Sequence, residues 1–219
     1  MIVITGASDG VGKQVAKLYK EAGKTVVNIS RRECEYADIN ICLSLREGDQ
    51  IKEASDKILE IDEPIEVIVN AVGVWGEEPF GKITEVEIKR LMSTNVKAPM
   101  LLVSNLFERI KKDETDILNI ISTAGVRGRA EFPLYSASKW AERGYTKSLQ
   151  EALNGTKSRV ISFCPGGINT DFFEKAGNKD LNTSEWMHPT DIARFIKQIL
   201  DLPKNIEVSE IILNRKSIS

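Results

Sequence analysis

At 219 residues the chain is long enough to bury one sizeable core, and a single domain of that length needs no linker. Thirty lysines and arginines stand against 32 acids, so a formal net charge of -2 gives neither a basic field for nucleic acid nor an acidic tail. Three widely spaced cysteines, Cys34, Cys42 and Cys164, argue against a disulfide framework and a cysteine zinc site, and one histidine, His188, leaves little for a metal centre or a serine triad. The expected setting is reducing cytoplasm, with no metal, no nucleic acid and no membrane contact. Apolar residues begin at Ile2, which leaves no room for a cleaved signal, and no apolar run approaches bilayer-spanning length.

In chain order, Ile2-Val-Ile4 predicts a first strand, followed directly by Thr5-Gly-Ala-Ser-Asp-Gly-Val-Gly12 and helical spacing over Gly12 to Glu21. Strands are expected next at Thr25 to Ile29 and Ile41 to Leu45, a helix over Gln50 to Glu60, and a fourth strand at Ile65 to Val69. A long helix over Glu85 to Lys111 precedes a strand at Ile117 to Ile121, and a helix over Tyr135 to Leu153 precedes one at Arg159 to Phe163. The irregular stretch 171–187 reads as a small lid, before a helix over Pro189 to Leu200 and a last strand at Val208 to Leu213. Strand and helix alternate throughout. Right-handed crossovers then give an α/β, doubly wound, mostly parallel seven-stranded sheet in one domain, 1–219, with ligands beyond the carboxyl ends of the strands.

The glycine-rich turn has the context of a nucleotide site. Gly6, Gly10 and Gly12 permit a tight turn and close backbone approach, while Ser8, Asp9 and Val11 complete a loop that ends on a helix N-terminus rich in free N–H donors. At the end of the second strand, Ser30 and Arg31 are suited to a 2'-phosphate, which favours NADP; NAD remains open, because Asp9 carries an opposing charge nearby. Farther along, Tyr135 and Lys139 lie four apart on one helix face, where an ammonium favours the phenolate form of its neighbour. Ser122, closing an apolar run thirteen residues before Tyr135, places a hydroxyl where it could hold a substrate oxygen.

These motifs together with Asn70-Ala-Val-Gly73, Asn95 and Pro165-Gly166-Gly167-Ile168-Asn169-Thr170 resemble the short-chain dehydrogenase/reductase family nearly end to end. The resemblance implies a Rossmann fold, with Tyr135 as general acid or base, Lys139 as its partner and ribose ligand, Ser122 as the substrate-orienting hydroxyl and Asn95 as organiser of a relay water. It further implies NADP contacts from Asn70, Ala71 and Gly73, and from Pro165, Gly166, Ile168 and Thr170 around the carboxamide and diphosphate. The chain departs from the family pattern at Ala71, where a second asparagine is commoner, and at Ser44, where an aspartate usually meets adenine; Asp38 in another register is the alternative.

A small carbonyl or alcohol substrate is expected. Trp75, Phe172, Phe173 and Trp186 could wall its site, and Arg127 and Arg129 could meet an anionic one. The family also implies a homodimer or homotetramer built on the helices around residues 95–111 and 135–153. The alternative of another class is a catalytically silent, dinucleotide-sensing binding protein. Retention of both Tyr135 and Lys139 speaks for the enzyme.

Overall fold

Short runs of β-branched residues form the strands because both of their faces are covered, which lets every position be apolar. The computed structural model describes residues 1–178 and 180–216, so Lys179, within the expected lid, lies outside the described residues, as do Ser217, Ile218 and Ser219. The strands are β1 (Ile2–Thr5), β2 (Val26–Ser30), β3 (Ile39–Cys42), β4 (Val67–Asn70), β5 (Asp116–Ile120), β6 (Val160–Pro165) and β7 (Glu210–Leu213). They form one sheet in the order β3-β2-β1-β4-β5-β6-β7, and each neighbouring pair is parallel.

The helices are α1 (Gly10–Glu21), α2 (Gly48–Leu59), α3 (Glu85–Met92), α4 (Ala98–Asp113), α5 (Pro133–Leu153) and α6 (Pro189–Leu200). Alternation along β1 splits the core in two: Val3 packs with Ile51, Leu102, Leu106 and Leu149 under α2, α4 and α5, whereas Ile2 and Ile4 pack with Val15, Ala16, Ile192 and Ile196 under α1 and α6. No helix among the described residues is long and apolar enough to cross a membrane. Strand order reverses between β1 and β4, so a crevice opens where Thr5 and Asn70 end their strands.

Beyond shifts of one or two residues at element ends, two elements differ from the expectation. The third strand begins at Ile39, earlier than the apolar run, because Asn40 pairs with Asn28 across the sheet: Asn28 Nδ2 donates to Asn40 Oδ1 at 2.8 Å, and Cys34 N donates to the same oxygen at 2.8 Å. Ser44 therefore lies beyond the strand and not near its start. The long helix is also interrupted, by a π-helical turn at Ser93–Lys97. Pro99 has no N–H to return to Asn95, and the ladder shifts there so that Ala98 N reaches Ser93 O.

At the opposite edge, the amino ends of β5 and β6 are locked by charge. Arg159 is 5% exposed; its Nη2 donates to Asp116 Oδ2 at 2.7 Å and to Leu200 O at 2.9 Å, and its Nη1 reaches Leu202 O, Pro203 O and Ile206 O. One guanidinium thus joins two strands to the end of α6 and the chain leading to β7. Removing its counter-ion leaves a buried charge uncompensated. Asp116→Ala is expected to destabilise the fold by about 3–5 kcal/mol, read from the urea midpoint; a loss well under about 1 kcal/mol would assign the pair no structural weight.

Candidate functional site

The turn from β1 into α1 is built on close backbone approach. Gly6 and Gly10 adopt φ of +75° and +51°, and a Cβ on Gly12 would stand 2.5 Å from Gly6 O, so only glycine fits there without moving backbone. Asp9 caps α1, its Oδ1 accepting from Gly10 N at 2.8 Å. Thr5 Oγ1 accepts from Ala71 N and Val72 N, at 3.1 and 3.2 Å, and so fixes the chain leaving β4 beside this turn. The amino end of α1 consequently faces the crevice. A cavity of about 1140 Å³ runs from it along the carboxyl ends of the strands.

Of the residues singled out from sequence, Gly6, Ser8, Asp9, Gly10, Val11, Gly12, Ser30, Arg31, Ala71 and Gly73 line one part of this cavity. Ser122, Tyr135, Lys139, Pro165, Gly166, Ile168 and Thr170 line the rest. Asn70 and Asn95 stand behind the wall, both buried. Asn70 Nδ2 donates to Asn119 Oδ1 at 2.8 Å, and Asn119 Nδ2 to Thr146 Oγ1 at 2.8 Å, which ties β4 and β5 to α5. Asn95 Oδ1 accepts from Val74 N at 2.8 Å, while its Nδ2 donates to Val74 O and to Ser138 Oγ, each at 3.0 Å. The amide is thus spent on the loop after β4 and on α5.

At the rim, Asp9 Oδ2 accepts from Arg32 Nη2 at 3.1 Å and also pairs with Lys175. Its charge is already met. Arg31 is exposed, lines the cavity and has no ion pair among the described residues. Asp38 lies at the other end of the sheet, where Val26 N donates to it at 2.9 Å and Lys20 pairs with it; the position beyond β3 that lines the cavity is Ser44, with Leu45 and Arg46.

The floor is formed by α5 and the end of β5. Pro133 opens α5 at a position where a missing N–H costs nothing, and Tyr135 and Lys139 then fall on its buried face, 5% and 2% exposed. Lys139 Nζ donates to Ile120 O at 3.2 Å and to Glu142 Oε2 at 2.7 Å. Ser122 Oγ accepts from Ala124 N at 3.1 Å and lines the cavity together with Tyr135. The Trp75 and Phe132 rings pack 4.5 Å apart, and Trp75 lies 4.5 Å from the Tyr135 ring, with Phe173 beyond it at 4.8 Å. Arg90 Nη2 holds this wall by donating to Trp75 O at 2.8 Å.

This enclosure alters the acidity expected from sequence. Burial pushes the Tyr135 phenol up, and outweighs the Lys139 ammonium and the Ser122 hydroxyl, which pull it down. Burial works against the Lys139 charge, yet the Glu142 carboxylate raises its pKa above that of a free lysine, while burial pushes the Glu142 carboxyl up against the pull of Lys139; the 2.7 Å contact between them is what favours the ionised pair. Glu142 was not singled out from sequence, although its spacing carried a signal: it falls on the stripe Tyr135, Lys139, Glu142, Thr146, Leu149, Leu153, which is buried throughout. Gly125 was also missed. A Cβ there would meet Lys139 O at 2.7 Å, so glycine lets the turn after Ser122 rest directly on α5.

The arrangement joins an anion-accepting helix end to a phenol, a hydroxyl and an ammonium in one cavity. The family model for short chain dehydrogenase matches residues 1–181. Among curated relatives, an uncharacterized oxidoreductase of Listeria monocytogenes is 26% identical, covering 96% of this chain and 94% of its own length. A 3-oxoacyl-acyl-carrier-protein reductase of Thermotoga maritima is 29% identical over 83% of this chain and 79% of its own. Among solved structures, the closed form of serine dehydrogenase complexed with NADP+ superimposes with a TM-score of 0.85 at 24% identity, over 96% of this chain and 94% of that one, a likeness of fold.

The contact at Gly125 gives a direct test of how tightly this floor is packed. Gly125→Ala is expected to cost about 1–3 kcal/mol in denaturant unfolding, because the nearest clash is with backbone, Lys139 O at 2.7 Å, ahead of the Ile121 side chain at 2.9 Å. A variant as stable as the parent would show that α5 can shift to make room.

Proposed function

We propose, for a chain that belongs to the short-chain dehydrogenase family, that it is an NADP-dependent oxidoreductase interconverting a small carbonyl compound and its alcohol. The observation that carries this reading is the meeting of the Ser122, Tyr135 and Lys139 side chains with the glycine turn and the amino end of α1 in one cavity. The fit to a dinucleotide is supported by backbone geometry, since a Cβ on Gly12 would fill the turn at 2.5 Å from Gly6 O. Gly6, Ser8, Gly10, Val11 and Gly12 would hold the diphosphate, with Asp9 shaping the turn. Ser30 and Arg31 would hold the adenosine end and its 2'-phosphate. Asn70, Ala71 and Gly73 would back the middle, and Pro165, Gly166, Ile168 and Thr170 the nicotinamide end. When bound, the nicotinamide gives or takes the hydride.

This chain's own work is positioning and proton transfer. In reduction, Tyr135 gives its phenolic proton to the substrate oxygen as that oxygen gains negative charge, and Ser122 donates a hydrogen bond to the same atom. In oxidation the phenolate takes the proton back. Lys139 stabilises that phenolate and reaches toward the ribose, and Asn95 keeps the loop after β4 against α5. The raised Tyr135 pKa keeps the proton on the phenol at neutral pH, which suits reduction. The Trp75, Phe132, Phe172 and Phe173 rings exclude water from the reacting atoms, with 171–187 as the lid that carries two of them. Self-association through α4 and α5 fits the 46% exposure of Trp140 on α5.

Tyr135→Phe keeps the ring and removes the proton; turnover of carbonyl substrate with NADPH is expected to fall at least about a hundredfold while cofactor affinity changes little. Retention of most activity would remove Tyr135 from the chemistry. Arg31→Ala is expected to weaken NADPH by about 1.5–3 kcal/mol and leave NADH nearly unchanged. Fluorescence titration with both cofactors decides it: an equal loss for the two would return Arg31 to the solvated surface, and equal parent affinities would overturn the NADP assignment.

A further inference from the structure

Glu142 is the one acid on the buried stripe of α5, a turn beyond Lys139. Its side chain is 2% exposed, and its Oε2 lies 2.7 Å from Lys139 Nζ, whose side chain is 3% exposed. The other acceptor of that ammonium is a neutral carbonyl, Ile120 O. Burying two charges is costly, and removing one would strand the other, so the pair stands or falls together. Resting on the reading of Tyr135 and Lys139 as the reacting pair, we propose that Glu142 is a positioning residue for them: its carboxylate holds the ammonium from behind, and Tyr135 faces an ion pair rather than a lone cation.

The consequence has a definite sign. Protons on closely coupled groups belong to the set and not to one member. A carboxylate beside Tyr135 and Lys139 raises the proton affinity of both, whichever gives up its proton first. Burial is the largest influence keeping the phenol protonated, and Glu142 acts in the same direction while Lys139 and Ser122 oppose it. The remaining groups facing this cluster do not supply a substitute charge. Cys164 on β6 is pushed up to about 11 by burial and stays a neutral thiol, and Asn95 from the π turn is uncharged. Arg143 on α5 is taken by Glu210 on β7, with both contacts at 2.8 Å. Glu142 therefore favours the proton-loaded state from which Tyr135 donates to a carbonyl oxygen.

The test uses the full chain carrying 13Cζ-labelled tyrosine. The chain has four tyrosines, so Tyr135→Phe identifies the resonance of interest. Glu142→Gln keeps size and an acceptor oxygen but removes the charge; the Tyr135 titration midpoint is expected to drop by about one pH unit or more. Glu142→Asp keeps the charge and is expected to stay near the parent. The alkaline limb of kcat/KM for carbonyl reduction should move down with the midpoint in the glutamine variant and hold in the aspartate variant. An unchanged midpoint in Glu142→Gln, or equal shifts in both variants, would overturn the proposal and leave Glu142 a packing residue. If Glu142→Gln does not fold, the 13Cδ shift of Glu142 in the parent, assigned with Glu142→Asp, reads the charge itself: ionised at pH 7 is expected, and a protonated carboxyl overturns the idea. Because the titrations need neither cofactor nor turnover, their outcome is separate from failure of the oxidoreductase reading, which would appear as a parent protein with no carbonyl activity.

Discussion

The whole site hangs on one constraint, the parallel direction of every paired strand. With all strands pointing the same way, Gly6 after β1, Ser30 at the end of β2, Ala71 after β4, Ser122 after β5 and Pro165 at the end of β6 emerge on a single edge. Residues more than a hundred positions apart thereby line one cavity without any long-range loop to carry them. Reversal of strand order between β1 and β4 keeps that edge open at its middle, because the crossovers on its two sides lead away from each other. The glycine turn then sets how close α1 can come. With Gly6 O where a larger residue at position 12 would put its Cβ, the helix end sits low over the strand, and Gly10, Val11 and Gly12 of its first turn line the crevice.

A second economy lies in α5, which serves as core wall and chemical floor in one stripe. Leu149 and Leu153 at its carboxyl end belong to the apolar cluster under α2 and α4, while Tyr135 and Lys139 at its amino end meet the cavity. Between them Glu142 and Thr146 are polar and buried, and each is answered: Glu142 by Lys139, Thr146 by Asn119 and by Glu142 O at 2.8 Å. Such a row is costly unless satisfied, and once satisfied it holds the helix against β4 and β5 in one rotation. The phenol and the ammonium inherit that precision, since their backbone is fixed by a core they do not themselves make.

Much of this was legible in the sequence because the signals were periodic or local. Each strand was found by its apolar spacing, and every helix but the α3–α4 pair, which read as one; the glycine turn was found by its position between a strand and a helix. What escaped depended on contacts across the fold. Asn40 is polar and stands just before the apolar run, and its pairing with Asn28 draws β3 forward. Pro99 sat in an otherwise unbroken helical pattern, and periodicity could not show that the ladder would shift to a π turn around Asn95. Gly125 is one glycine among 15, distinguished only when Lys139 O is seen beside it. The acidity of Tyr135 went the other way from the local rule, since spacing to Lys139 is visible in one dimension and burial under Trp75 is not.

Phe172, Phe173, Lys175 and Trp186 touch both ends of the cavity, and the two sets of contacts differ in strength. At the rim, Lys175 pairs with Asp9 where both side chains are more than a third exposed; a pair in such a place contributes about 0–1 kcal/mol and fades with salt. At the floor, Phe173 packs on Trp75 at 4.8 Å and on Trp186 at 5.2 Å, and Phe172 on Phe173 at 5.5 Å. Each aromatic pair contributes roughly 0.5–1.5 kcal/mol beyond the area it buries. The aromatic contacts therefore decide where these residues rest, and the ion pair tunes them. The stronger contacts gather around Trp75, which packs on Tyr135 at 4.5 Å, and the weaker one lies at the rim beside Arg32, which shares Asp9, so the rim can open without disturbing the floor.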